Sequence, residues 1–248
     1  MAIATQLSVN LNKVALLRNQ RDVGYPSVTE MADRVIAAGA RGITVHPRPD
    51  ERHIRRSDVH ELERLLAEDR YAAVEYNIEG YPSEEFLELI ESVAPHQATL
   101  VPDAPDQRTS DHGWDFDADG EWLAPLVARL KRAGVRVSLF VDPQESAVRG
   151  AHATGADRIE LYTEPYAAAF ARGDYQDILA AYAHCAVVAD ELGLGVNAGH
   201  DLTIANTAVL RRAIPNLAEV SIGHAITADA LVMGFAAAVA AYLEALDQ

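Results

Sequence analysis

One cysteine, Cys185, is all the thiol this sequence holds, so no internal disulfide can form. It sits in AAYAHCAVVADELG, a strongly helical stretch, and reads as a packed side chain with no catalytic role. Long apolar runs are missing too, and no segment reaches the length of a membrane-spanning helix. The opening MAIATQLSVN has no basic stretch ahead of a long apolar segment, so it does not read as a signal peptide, and the cytoplasm is the expected compartment. A formal net charge of −16 argues against nucleic acid and anionic membranes as partners, because most of the surface would repel both. Signatures of nucleotide binding and serine hydrolysis are absent: there is no G-x-G-x-x-G fingerprint, P-loop or G-x-S-x-G elbow. Nine histidines are present, yet none form the His-x-His pair of barrel metallohydrolases. The nearest spacing, His46 and Arg48, would set a guanidinium beside a dication. The reading is no metal and no organic cofactor.

What the chain has is a rhythm. Eight short β-type runs recur, QLSVNL, GITVHP, AAVEYNI, QATLVP, RVSLFVD, RIELYT, LGVNAGH and EVSIGH. Amphipathic helical stretches lie between them, among them SVTEMADRVIAAG, SDVHELERLLAE, SEEFLELIESV and EWLAPLVARLKRAG, several opening on a capping serine. Eight β-then-α units predict a closed (β/α)8 TIM barrel forming one domain over residues 1–248, with an open doubly wound sheet as the alternative. A barrel gathers its reactive groups at the C-terminal ends of the strands. Those ends carry Asn10, Asn12, His46, Arg48, Glu79, Asp103, Asp142, Glu160, Thr163, Asn197, His200 and His224.

An acidic protein that concentrates cations in one place has a use for them. GITVHPRPDERHIRR, residues 42–56, holds four arginines and two histidines after the second strand. Guanidinium forks suit phosphate, and Arg48 is the foremost candidate, whereas Arg52, Arg55 and Arg56 read as steering, loop-holding or subunit contacts. The glycine-marked turns AGHDLT and IGHAIT add backbone donors where barrels commonly hold phosphate. Two such regions suggest two phosphate groups. Only Lys13 and Lys131 among the 21 basic residues are lysines, and Lys13, just after the first strand, reads either as a surface lysine or as a compact ammonium for a phosphate or hydroxyl.

The blocks SVNLNKVALLRNQR, GITVHPRPDERHI, NIEGYP, TLVPD, VSLFVD, IELYTEPYA, VNAGHDL and IGHAI occur in the order and spacing of the pyridoxine 5′-phosphate synthase family, and the chain resembles that family over almost its whole length. The resemblance implies a barrel with extra helices, assembled as a homo-octamer. It also implies a cofactor-independent condensation of 1-deoxy-D-xylulose 5-phosphate with 3-amino-2-oxopropyl phosphate, releasing pyridoxine 5′-phosphate, inorganic phosphate and water. Residue by residue, His46 and Glu79 match the family's proton acceptors, His200 its proton donor and Glu160 its charge stabiliser. Arg48, His53 and Thr109 resemble the residues holding the deoxyxylulose phosphate, and Asn10, Arg21, Gly223 and His224 those holding the amino-oxopropyl phosphate.

Two places depart from the family's commoner pattern. Asn12-Lys13 stands where many members read Asp-His, and both residues count as substrate-binding candidates. Asp201, a third such candidate, follows NAGH where many members have glycine; its carboxylate would repel phosphate unless it turned away to cap the next helix. The long segment PDAPDQRTSDHGWDF, residues 102–116, reads as a lid that orders over deoxyxylulose phosphate. Two other classes stay open: a Schiff-base aldolase with Lys13 as nucleophile, and a non-catalytic phosphosugar-binding protein, which would not need the His46, Glu79 and His200 set.

Overall fold

The structure is a computed structural model that describes residues 4–103, 107 and 110–247. Eight parallel strands close on one another in sequence order: β1 (Gln6–Asn10), β2 (Gly42–Val45), β3 (Glu75–Gly80), β4 (Gln97–Leu100), β5 (Arg136–Val141), β6 (Arg158–Tyr162), β7 (Gly195–Gly199) and β8 (Leu217–Ile222), which pairs with β1. The open-sheet alternative is excluded. Eleven helices are seen among the described residues: α1 (Asn12–Arg18), α2 (Val28–Ala37), α3 (Arg56–Leu66), α4 (Glu84–Val93), α5 (Phe116–Arg132), α6 (Glu145–Ala153), α7 (Glu164–Arg172), α8 (Gln176–Glu191), α9 (Ile204–Ala213), α10 (His224–Met233) and α11 (Phe235–Asp247). Three of them, α1, α7 and α10, begin within two residues of the ends of β1, β6 and β8 and so place their first turns at the barrel mouth.

Period-two patterning explains the strands. Leu7, Val9, Ile43, Val45, Ile78, Leu100, Val137, Leu139, Ile159, Leu161, Val196 and Val220 face the helices and form one buried core with them. The alternate residues face the lumen, where branched apolar side chains usually fill a barrel of this type. Here most of them are polar, with Phe140 an apolar exception at the mouth. Ser8 Oγ lies 2.7 Å from Thr44 Oγ1, Asn77 donates to Thr44 Oγ1 at 3.3 Å, and Thr99 donates to Asn77 Oδ1 at 3.1 Å. Below them Arg136 pairs with Glu75 and donates to Gln97 at 3.0 Å, while Arg158 donates to Asn197 at 3.1 Å. Asn197 and Glu160, read from the sequence as strand-end groups, therefore lie within the lumen.

Helix starts follow the sequence in part. Ser27 and Ser83 cap α2 and α4 by accepting from the N–H groups of Glu30 and Phe86. Ser57 does not cap the second amphipathic stretch: α3 already begins at Arg56, and Asp58 accepts from the N–H of Arg55 at 2.7 Å. The same Asp58 pairs with buried Arg18, whose Nη2 also donates to the carbonyl of His53 at 3.1 Å. Asn19 donates to the His53 carbonyl at 2.8 Å. The RNQR motif after β1 thus moors the loop that follows β2.

Candidate active site

A cavity of about 340 Å³ opens at the C-terminal end of the barrel. Its wall includes twelve of the sequence-derived candidates: Asn10, Asn12, Lys13, His46, Arg48, His53, Glu79, Glu160, His200, Asp201, Gly223 and His224. Arg21 is not among them; it is exposed, in the turn after α1. Thr109 lies outside the described residues.

His46, the residue after β2, is held in place by Asn12, whose side-chain oxygen accepts from its N–H at 2.9 Å. Its Nδ1 lies 3.8 Å from Glu79 Oε2. Burial, then the charges of Arg48, His53, His200 and Arg52, hold the imidazole well below the usual histidine range, so it stands as a neutral base at pH 7. Glu79 ends an inward row on β3 and accepts from Asn10 Nδ2 and Ser221 Oγ, each at 3.4 Å. Burial pushes its carboxyl up to about 7, with Asp103 adding to the rise and His200, Ser221 and Arg48 opposing it. Glu160 lies deeper, raised well above the carboxylate range by burial, then by Glu79 and Glu219. Its Oε2 has no hydrogen-bond partner among the described residues. Gly199 makes room for this carboxyl, since a Cβ there would come within 2.3 Å of Glu160 Oε1.

On the arginine side, Arg48 is buried and paired with Asp103, and it donates to the Gln107 carbonyl at 3.1 Å. Ser110 donates to the same Asp103 oxygen at 2.8 Å, and Arg52 reaches the Gln107 carbonyl at 3.0 Å. Arg52 therefore holds a loop, as the sequence suggested, and Arg48 does so while also lining the cavity. His53 Nδ1 accepts from the N–H of Ile54 at 2.9 Å, which leaves the ring proton on Nε2. Burial, then Arg48 and Lys13, lower this imidazole to about 4, so it remains a neutral donor.

Across the mouth, His200 packs its ring 5.3 Å from that of Tyr162 and 6.1 Å from that of Phe140. Asp201 does not cap α9, because Thr203 and Asn206 form that cap reciprocally. Its Oδ2 turns instead to His200 Nδ1, at 3.4 Å. No group of three or more histidine, cysteine, aspartate or glutamate side chains is placed to hold a metal ion among the described residues.

Three residues with work at this site escaped the sequence reading, Ser221 against Glu79, Ser110 beside Asp103 and Gly199 under Glu160, and so did the pairing of the strand-end residue Asp103 with Arg48. Ser221 had a signal, two positions before Gly223 on the inward period of β8.

The sequence pattern of the family described as "Pyridoxal phosphate biosynthesis protein PdxJ" matches residues 7–248. The pyridoxine 5′-phosphate synthase of Brucella abortus is 54% identical over 247 residues, covering 97% of this chain and 98% of that protein. The chain belongs to the PdxJ family. It is an enzyme of the pyridoxine 5′-phosphate synthase type, and the Brucella suis synthase matches it to the same extent, 54% over 247 residues. Solved barrels outside the PdxJ family share its fold alone. Tryptophan synthase from M. tuberculosis superposes with a TM-score of 0.63 at 14% identity, over 99% of this chain and 94% of that one. Phosphoribosylanthranilate isomerase from Thermotoga maritima gives 0.60 at 11%, over 98% of each.

Proposed function

We propose that this cavity carries out the family's condensation of 1-deoxy-D-xylulose 5-phosphate with 3-amino-2-oxopropyl phosphate, and that the four groups His46, Glu79, Glu160 and His200 move its protons. The observation that carries the reading is the convergence of a neutral imidazole, a carboxyl near 7 and a second imidazole in one small cavity lined by cations. Ring closure needs groups that both take and give protons near neutral pH. His46 takes the proton released as the substrate amine and ketone combine. Glu79 exchanges protons with the forming ring, and His200 supplies one from the opposite wall. Burial holds the Glu160 carboxyl well above the carboxylate range, and a cationic intermediate beside its unpartnered oxygen favours its charged form. Arg48 and the Nε2–H of His53 hold one phosphate. Asn10, Gly223, His224 and the N-terminus of α10 hold the other.

No helix is long and apolar enough to cross a membrane among the described residues, and the chain is assigned to the cytoplasm and to one domain over 1–248. Leu17, Val23 and Tyr25 near α1, and Leu231, Val232 and Met233 on α10, are exposed apolar side chains suited to subunit contacts in a homo-octamer. Neither metal nor organic cofactor is assigned.

Incubating the chelator-treated protein with both substrates tests the function. Stoichiometric release of pyridoxine 5′-phosphate and inorganic phosphate is expected, with kcat in His46→Ala lower by about a hundredfold or more. Absence of product, or a borohydride-trapped adduct on Lys13, overturns it.

A further inference from the structure

The end of β7 carries two consecutive left-handed residues, His200 at φ 92° and Asp201 at φ 56°. Neither is glycine, so the backbone there is strained, although histidine and aspartate tolerate this region better than most side chains. The Asp201 side chain lines the cavity, and α9 is capped without it by Thr203 and Asn206. Its oxygen approaches His200 Nδ1 at 3.4 Å, with a side chain 45% exposed. The hydrogen bond with His200 holds the carboxyl below its ordinary range against a partial burial that opposes this, and the charges of His200, His224 and Lys13 add to it. Those three basic side chains all line the same cavity, on β7's end, α10 and α1.

An acidic residue here is at odds with a pocket that takes phosphate, unless it has work to do when phosphate is absent. We propose that Asp201 is a resident counter-anion, held by Lys13, His200 and His224 in the empty enzyme and displaced when a substrate phosphate enters. The inference rests on the reading of this pocket as a phosphate site.

Displacement has a definite energetic form. An incoming anion gains its attraction to the cations and loses the attraction Asp201 had with them, a fixed cost whatever the anion. A monoanion roughly breaks even, whereas a dianionic phosphate monoester retains a net gain. The half-exposed position lets the carboxylate swing into water at little cost. In a reaction that releases inorganic phosphate, the same device returns the pocket to a neutralised state and speeds clearance of the product.

The test uses the full chain without substrates, titrated separately with inorganic phosphate and with nitrate. Asp201→Asn keeps a side chain suited to the left-handed backbone and removes only the charge; Asp201→Gly is the second variant, relieved of the strain at position 201. Both variants are expected to bind phosphate more tightly, on the order of fivefold, and nitrate by the same factor. The KM for 3-amino-2-oxopropyl phosphate should fall in step while that for deoxyxylulose phosphate stays unchanged. Unchanged affinity for both anions in both variants overturns the role of Asp201 and leaves the pocket's function standing. A gain for phosphate much larger than for nitrate also overturns it, because a fixed carboxylate repels in proportion to charge. Absence of phosphate binding in wild type and variants alike overturns the pocket's assignment and the inference with it.

Discussion

At the level of single residues, the site works by setting apart groups that sequence alone leaves equivalent. Glu79 and Glu160 are two inward glutamates on neighbouring parts of the lumen, yet one is poised near 7 and the other is raised well above the carboxylate range, by deeper burial first and then by Glu79 and Glu219. As an acceptor, Glu79 must be ionised, so activity should rise with pH through about 7. Glu79→Gln removes that step and flattens the limb. The same shift has a stability consequence of fixed sign. A carboxyl raised in the folded protein contributes stability that is fully present below its ordinary value of 4.5 and lost as pH rises through about 7. The Tm of Glu79→Gln relative to wild type should therefore be higher at about pH 8 than at about pH 5. An equal difference at both pH values would show that Glu79 is not so raised.

At the level of elements, the eight strands were legible because the lumen is mostly polar: apart from Phe140 on β5 and the inward glycines, the strands alternate apolar outward with polar inward, the pattern sequence reads best. Helix caps were legible where the cap is local, as at Ser27 and Ser83, and not where it depends on distant chain, as at Asp58, which serves α3 and Arg18 together. The candidate list was legible where residues follow strand ends, while the pairing of Arg48 with Asp103 required knowing how the loops after β2 and β4 meet. That meeting bears on the segment read as a lid. Arg48 and Arg52 both grip the Gln107 carbonyl, and Trp114 ties the far end of the segment by donating from Nε1 to the Leu100 carbonyl at 2.9 Å. A phosphate drawn to Arg48 would bear on this clasp directly, so residues 102–116 should gain protease protection when deoxyxylulose phosphate binds. Arg52→Ala should raise cleavage of the segment in the empty enzyme and leave most of the ligand's protection in place. Identical cleavage with and without ligand in wild type would refute a closing lid.

At the level of the whole molecule, Arg21 poses a problem that the single chain does not resolve. Its family match assigns it to the amino-oxopropyl phosphate, but it is exposed and contributes nothing to the cavity of its own barrel. Exposed apolar side chains flank it in sequence, Leu17 at 55%, Val23 at 65% and Tyr25 at 75%, and α1 packs beside α10, which exposes Val232 at 90%. Such a surface on a protein of net charge −16 is suited to cover by another subunit. Both facts hold together if Arg21 serves the phosphate pocket of a neighbouring copy. Arg21→Ala and His46→Ala homo-oligomers should then each be nearly inactive, and co-expression should restore activity. In a random equal mixture, about a quarter of sites combine an intact barrel with an intact neighbouring arginine. Val232→Glu should break the assembly in light scattering and lower activity together with it. Mixed oligomers that form, yet show no more activity than the parent variants, would place Arg21 in its own subunit's site or outside catalysis altogether.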